Sequence, residues 1–411
     1  MNRAARILII TSGPLCRNPR ALKEAFTLGA AGYDVTVATI ASHARFEAYD
    51  DAILVGAPFR KIAVMHIPIS RKMRAHKTLS RMSTWLARRG VRFGFQSAQA
   101  FGPAFEMRRL ALATPAELTI VHTELGLAVG ITLLAQGRRV ATDIEDWHSE
   151  DLLPQERRHR PVRLLSKFER KLLNHCVYTS TTSNALAVAL QARYGGTLPA
   201  VITNSFLLQP TPEHSQPAHS PRFFWFSQTI GPGRGLELFL AAWVRTQYPS
   251  RVVLLGEPRS GYHGDLLNHL PAGRREQIQF LPLVSPSELP SVIARHDIGL
   301  ALEQPFIVNR DLTITNKILQ YLNAGLAIVA SSTSGQREVI AENSSAGILV
   351  EAHETTAFAR ALDGLLADSA ALAVRQKAAR RLAESKYCWE LEAPRLLALV
   401  EAAVGKPKPT A

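Results

Sequence analysis

Short apolar runs alternate with longer stretches whose apolar residues recur every three or four positions, along almost the whole chain. Residues 6–11 form such a run and end in a Gly turn at Gly13. Residues 18–31 then read as a helix, with Leu22, Ala25, Phe26 and Leu28 toward its packing side and Gly32 ending it. Residues 34–40 are the next strand. Strand, loop, helix, Gly, strand is the unit of a parallel sheet. Further strands are expected at 61–66, 118–122, 139–143 and 176–180, with helices between them.

Residues 209–221 hold four prolines, Pro210, Pro212, Pro217 and Pro221, and read as a linker. The alternation then restarts, with strands expected at 222–227, 251–255, 277–281, 297–302, 326–330 and 347–350. The end, from about 370 to 404, is helical by composition and breaks near the aromatic cluster Lys386-Tyr387-Cys388-Trp389. The pattern predicts an α/β protein of two doubly wound, Rossmann-like domains facing a cleft. One covers 1–208 and the other 222–385. In such sheets ligands bind at the carboxyl ends of strands, where the strand order reverses.

Composition adds exclusions. The chain has 411 residues, ample for two domains, and ordinary apolar (46%) and charged (20%) fractions. Three distant cysteines, Cys16, Cys176 and Cys388, form neither a disulfide framework nor a metal spacing, which fits a reducing cytoplasm. The apolar run Ile7–Ile10 is too short for a signal-peptide core, and no run is long enough to span a bilayer.

The net charge of +14 is concentrated in the first half. Residues 71–92 carry eight Lys and Arg and no acid, interleaved with Met73, Leu79, Met82, Trp85, Leu86 and Val91. A basic amphipathic stretch with Trp reads as a helix for an anionic membrane surface, or as a solvated basic face. A nucleic-acid partner would need more interleaved aromatics than Trp85 alone.

Three segments of the second half carry chemistry. In 223–237 a buried strand runs through Ser227 into the turn Gly231-Pro232-Gly233-Arg234-Gly235, and a helix opens at once. Backbone N–H groups at a helix start favour a phosphate, and Arg234 adds a bidentate cation. In 297–305 an apolar strand delivers Glu303 at its carboxyl end, where a carboxylate can bind sugar or ribose hydroxyls. In 313–331, Thr315 or Asn316 caps a helix, and Lys317 and Gln320 share one face. Ile318, Leu319 and Leu322 pack behind them, and Gly325 ends the helix. A Lys and an amide at a helix start suit a diphosphate.

In the first half, five carboxylates and a histidine fall within residues 143–151, at the end of an expected strand. A hydroxyl acceptor needs a base within hydrogen-bond reach. Asp146 is the first candidate, with Asp143 and His148 behind it, and His122 at the end of an earlier strand is a rival. Alternatively Asp143 and Asp146 cap a helix or pair with Arg157 and Arg158. The carboxylates nearest Asp146 have no fixed metal-site spacing.

The order of these segments resembles the donor domain of GT-B glycosyltransferases, particularly the family-4-like enzymes and their bacterial exopolysaccharide relatives. Arg234-Gly235 is similar to that group's Arg or Lys before Gly. Asn316 to Gly325 is similar to its Asn/Ser/Thr-Lys-x-x-Glu/Gln-Tyr-Leu-x-x-Gly segment. The opening, with Pro19-Arg20, also resembles theirs, as does the Asp segment around Asp146. The resemblance implies a GT-B fold whose C-terminal helix, 386–404, returns to the N-domain.

It implies transfer of a sugar from a UDP- or GDP-linked donor to a saccharide or lipid-linked hydroxyl, with no tightly bound metal or cofactor; the basic stretch 71–92 would hold such an enzyme at the inner face of the cytoplasmic membrane. By the same resemblance Lys317 contacts the diphosphate, Gln320 the nucleotide or sugar, and Glu303 the donor hydroxyls. Many relatives carry two glutamates separated by seven residues; Gln320 stands at the second place here, and Glu303 and Asp311, which have the spacing, lie too far upstream. Other readings are an epimerase-like sugar-nucleotide enzyme, a scaffold that binds donor without turnover, and a basic nucleic-acid- or membrane-binding protein.

Overall fold

A computed structural model describes residues 4–41, 43–65, 71–210, 220–351 and 354–406, with the backbone alone for 71–76 and 154. Most of the Pro-rich linker, 211–219, lies outside the described residues. The chain divides into two compact units. Unit 1 takes residues 1–182, 186–202 and 393 onward; unit 2 takes 183–185 and 203–392.

Unit 1 is built on seven parallel strands: β1 (Arg6–Ile10), β2 (Asp34–Ile40), β3 (Phe59–Val64), β4 (Leu118–Val121), β5 (Val140–Ile144), β6 (Thr179–Thr181) and β7 (Ala200–Val201). Their spatial order is β3-β2-β1-β4-β5-β6-β7, so the winding reverses between β1 and β4. The strands read as near-continuous apolar runs because helices cover both faces. β1, for example, buries Ile7, Leu8, Ile9 and Ile10 completely.

β6 begins three residues later than its apolarity suggests. It is made of Thr179, Ser180 and Thr181, all buried, and its hydroxyls are satisfied inside the sheet: Thr181 Oγ1 donates to the Ile144 carbonyl at 2.7 Å. β7, two residues long, has no legible pattern.

The helix Pro19–Ala30 also departs from the expected face. Asn18 caps it, accepting from the Ala21 N–H, and Pro19 takes the first turn, where a missing N–H costs nothing. Its buried side carries Arg20, Ala21, Glu24, Ala25 and Leu28, whereas Leu22 is half-buried and Phe26 exposed. Two charged residues displaced the expected apolar ones, for a reason given below.

Unit 2 has six parallel strands: β8 (Arg222–Ile230), β9 (Arg251–Pro258), β10 (Ile278–Leu281), β11 (Ile298–Ala301), β12 (Ala327–Ser331) and β13 (Gly347–Val350). Their order, β10-β9-β8-β11-β12-β13, reverses between β8 and β11. β8 continues three residues past its expected end. Its register against β9 slips between Phe226 and Thr229, a bulge that places Ser227 beside Gly256.

The helices Ser369–Ser385 and Trp389–Val404 break at Lys386–Cys388, where Cys388 bridges to Phe206 within unit 2. From Ala393 onward the last helix belongs to unit 1. There the Gly405 carbonyl accepts from Tyr33 Oη (3.0 Å), and the Ala403 carbonyl accepts from Arg139 (3.0 Å). No helix among the described residues is long and apolar enough to cross a membrane.

Candidate donor and acceptor sites

In unit 2 the candidate residues gather at the carboxyl ends of β8 and β11. The turn after β8 runs Gly231-Pro232-Gly233-Arg234-Gly235 into the helix Leu236–Trp243. Gly235 has φ +76°, and a Cβ there would lie 2.5 Å from the Leu302 carbonyl oxygen. Only glycine tolerates both the left-handed backbone and that approach. The turn therefore lies directly against the residue before Glu303. Arg234 is half-buried and makes no hydrogen bond or ion pair among the described residues.

The helix Asn316–Ala324 carries the second cation. Thr315 is the cap, accepting from the Ile318 N–H; Asn316 is the first helical residue, and its Oδ1 accepts from Asn204 Nδ2 at 2.9 Å. Ile318, Leu319 and Leu322 are fully buried, joined by Tyr321, which apolar spacing did not single out. Tyr321 packs closely against β11 at Gly299, where a Cβ would sit 2.3 Å from its ring, and its hydroxyl donates to the Leu300 carbonyl. That close approach sets the helix beside the end of β11.

As a result Lys317 Nζ meets Glu303 Oε1 at 2.7 Å, with Trp225 beneath it at 5.6 Å from the ring centre. Gln320, one turn on, is half-buried.

Burial alone would push the Glu303 carboxyl upward. Lys317 outweighs it, helped by Arg234 and Arg310, and holds the group below its ordinary range. Three cations thus act on one carboxylate, an excess of positive charge suited to an anion. Arg310, on the helix Val308–Leu312, escaped sequence reading because only the fold brings it near Glu303. The same holds for Ser331 and Gln336: Ser331 Oγ donates to the Glu303 carbonyl (2.5 Å), and Gln336 Nε2 donates to Ser331 Oγ (2.8 Å). Asp311, eight residues after Glu303, is turned away to cap the helix Ser334–Glu342, accepting from Ser334 N and Oγ.

In unit 1 the carboxyl ends of β4 and β5 meet a buried charge network. Arg20 is fully buried and donates to Asp143 Oδ2 from Nη2 (2.6 Å) and Nε (2.9 Å), and to the Ile202 carbonyl (2.7 Å). It also pairs with Glu24, one turn along its helix, at 3.3 Å. Glu24 holds His122 Nε2 at 3.0 Å, and Ser180 Oγ donates to Asp143.

Burial disfavours the His122 imidazolium, but Glu24 and Asp143 hold its pKa above the ordinary value. Burial likewise pushes Asp143 upward, and Arg20 and His122 bring it below. Two cations therefore balance two carboxylates. Glu24, His122 and Asp143 bring one potential ligand atom each within 4.8 Å of one another, but Arg20 and His122 already supply the positive charge a metal ion would bring.

This arrangement corrects two expectations. Asp143 pairs with Arg20 rather than facing an acceptor, and His122 is enclosed against Glu24; neither is exposed to an incoming hydroxyl. Arg157 pairs with Glu150, not with Asp143 (3.0 Å). The residues just beyond β5 are held by a second set of contacts. Trp147 is buried, its Nε1 donating to Tyr194 Oη (3.2 Å), and Ser149 is held by Glu169.

Between and beside these anchors Glu145, Asp146 and His148 are each half-buried. Burial, with Asp146 and Asp143 adding to it, pushes the Glu145 carboxyl up to about 7. Burial also holds His148 below its ordinary value, outweighing Asp146 and Asp143. Glu145 is thus a base candidate beside Asp146 that sequence inspection passed over, since its signal is its surroundings.

Residues 220–368 match the family described as "Glycosyl transferases group 1". Spore coat protein SA of Bacillus subtilis (strain 168) is 26% identical over 135 residues, a third of this chain and 34% of that protein. The chain thus spans about a third of the length of this curated relative.

Among solved structures, HepE of Anabaena in complex with UDP-glucose superposes with a TM-score of 0.69 at 16% identity, over 97% of this chain and 99% of that one. WaaG, a glycosyltransferase involved in lipopolysaccharide biosynthesis, superposes with a TM-score of 0.61 at 12% identity, over 96% and 99%. Residues 220–368 are therefore similar to group 1 glycosyltransferases in sequence, and the fold along the chain is the GT-B fold that HepE and WaaG share.

Proposed function

We propose that this chain is a glycosyltransferase. It moves a hexosyl group from a nucleoside-diphosphate donor to a hydroxyl of a saccharide or lipid-linked acceptor, in envelope or exopolysaccharide synthesis. The observation that carries the reading is the buried Lys317–Glu303 pair, with Arg234 on the adjoining glycine turn. Cations there stabilise the negative charge that develops on the departing diphosphate. Glu303 takes donor hydroxyls, Gln320 and Asn316 the nucleotide or sugar, and Ser227, Gly231 and Gly233 the phosphate turn. UDP is the first choice of nucleotide, since HepE binds UDP-glucose, and GDP the second.

In unit 1 Asp146 accepts the acceptor's proton, with Glu145 and His148 as neighbours. A base on the acceptor side with direct displacement inverts the anomeric centre, whereas retention on one face sends the proton to the departing phosphate oxygen. Family-4-like enzymes retain the configuration, but Gln320 replaces their second glutamate here, so the anomeric proton coupling of the product decides: inversion gives the proton to Asp146, and retention gives it to the departing phosphate oxygen and leaves Asp146 to orient the hydroxyl. Residues 71–92 bring the enzyme to an anionic membrane at its cytoplasmic face, each cation contributing about 1 kcal/mol near such a leaflet.

The test is calorimetric titration of UDP, GDP and ADP into the wild type and Lys317→Ala. Micromolar binding of one nucleotide that is lost in the variant supports the donor site. A folded wild type that binds none of them ends the glycosyltransferase reading.

A further inference from the structure

The surface around the helix Arg71–Gly90 has no part in the sites above. Its side chains are described from Lys77 onward. Ser80 is buried, Ser83 Oγ accepts from Gln99 Nε2 (3.1 Å), and Arg88 Nε donates to the Ala100 carbonyl (2.9 Å); this edge of the helix packs on the protein. Leu79, Met82, Trp85 and Leu86 are instead at least half exposed.

After the helix the chain reverses through Gly94, at φ +85°, and the Phe95 N–H donates back to the Gly90 carbonyl (3.1 Å). The reversal sets Phe93 and Phe95, 79% and 71% exposed, beside Trp85 and Leu86. With Arg89 and Arg92 these four line an apolar pocket of about 490 Å³.

Arg92 also lines a second pocket, of about 670 Å³, with Gln155, Arg158 and His159. Arg92 Nε donates to His159 Nδ1 at 3.0 Å. The arginines flanking Arg158 are tied down, Arg157 to Glu150 and Arg160 to Glu124. The Arg158 side chain makes no hydrogen bond or ion pair among the described residues. Glu156 is turned away to the Leu153 N–H, and no carboxylate lines either pocket.

Four large apolar side chains exposed around one pocket, with Leu79 and Met82 exposed on the same helix, mark a surface that something covers. The chemistry of the cover follows from the two pockets that share Arg92. Guanidinium forks and a side-chain amide match phosphate oxygens, and the aromatic shelf beside them matches hydrocarbon. A molecule with a phosphate at one end and an apolar chain at the other satisfies both.

We propose that the Arg92–Arg158 pocket binds the phosphate of an anionic lipid whose hydrocarbon lies over Trp85, Leu86, Phe93 and Phe95. This rests on the membrane reading above and adds a built headgroup site, where that reading needs only net charge.

The test is co-sedimentation of the full chain with phosphatidylcholine vesicles with and without phosphatidic acid. Salt near 0.3 M shortens the screening length to about 6 Å and suppresses diffuse attraction. Binding that requires phosphatidic acid is expected. Arg92→Gln and Arg158→Gln each weaken it about tenfold, the value of a charge-assisted hydrogen bond, as does Phe93→Ser with Phe95→Ser. Lys77→Gln and Arg81→Gln, which remove the same charge outside the pocket, change it no more than about twofold.

Equal losses in all four charge variants would overturn the pocket in favour of diffuse attraction. So would wild-type binding to inorganic phosphate or a single-stranded oligonucleotide that outcompetes the vesicles and is lost in Arg158→Gln. Failure of the wild type to bind any vesicle removes the membrane reading as well, and leaves the donor site to the nucleotide titration.

Discussion

Arg20 and Asp143 stand 123 positions apart in sequence and 2.6 Å apart in unit 1, both fully enclosed. Removing one partner leaves an uncompensated buried charge, so Arg20→Met is expected to cost about 3–5 kcal/mol. Arg20→Lys keeps the charge but not the fork that serves both Asp143 and the Ile202 carbonyl, and loses a smaller part. Urea unfolding reads both; a loss below about 1 kcal/mol for Arg20→Met would falsify the network's structural role.

The same network sets a pH window. Asp143 is held below its ordinary 3.8, so its contribution is present above that value and fades as pH falls through the folded pKa. His122 is held above its ordinary 6.5, so its contribution is complete below that value and fades as pH rises through the folded pKa. Between 3.8 and 6.5 the network stabilises most. His122→Gln should therefore flatten the loss of stability on the alkaline side of that window and leave the acid side alone.

Glu145 behaves oppositely to Asp143. Its folded pKa of about 7 lies above the ordinary 4.5, so ionising it works against folding. Stability falls as pH rises from 4.5 to 7, and Glu145→Gln should stabilise unit 1 above pH 7 by about 1–3 kcal/mol while changing nothing below pH 4.5. A thermal-melt difference that is the same at pH 4 and pH 8 would contradict a raised Glu145.

Glu303 separates nucleotide from sugar. Glu303→Gln removes a negative charge beside Lys317 and Arg234, so UDP should bind as well or better. A nucleotide sugar should bind about tenfold more weakly through the lost bond to its hydroxyl. Parallel losses for UDP and UDP-sugar would mean that Glu303 only positions Lys317.

Gly299 tests how the donor helix is placed. A methyl group there lies 2.3 Å from the Tyr321 ring, so Gly299→Ala should displace the helix Asn316–Ala324 and cost about 1–3 kcal/mol. Adding Tyr321→Leu should recover part of both stability and nucleotide affinity. No recovery in the double variant would show that the helix is held by other contacts.

Much of the fold was legible because buried parallel strands are apolar on both faces: β2 and β13 have the bounds that pattern suggests, and β9 and β11 lie within three residues of it. β6 was misplaced because its burial is satisfied by hydroxyl hydrogen bonds, which apolar periodicity does not report. The helix Pro19–Ala30 misled for a related reason: Arg20 and Glu24 look like solvent residues until Asp143 and His122 arrive from β5 and β4.

By itself the sequence determined the alternation of strands and helices, the Gly-rich turn before Arg234, and the helix that presents Lys317 and Gln320. These depend on local spacing and on residues whose backbone preferences are intrinsic. Tertiary structure alone decided which charges meet. Lys317 finds Glu303 fourteen positions upstream because Gly299 admits Tyr321. Arg20 takes Asp143 out of reach of an acceptor and leaves Glu145 to hold its proton near neutrality. A charge's role depends on its partners and its burial, and both are set by elements distant in sequence.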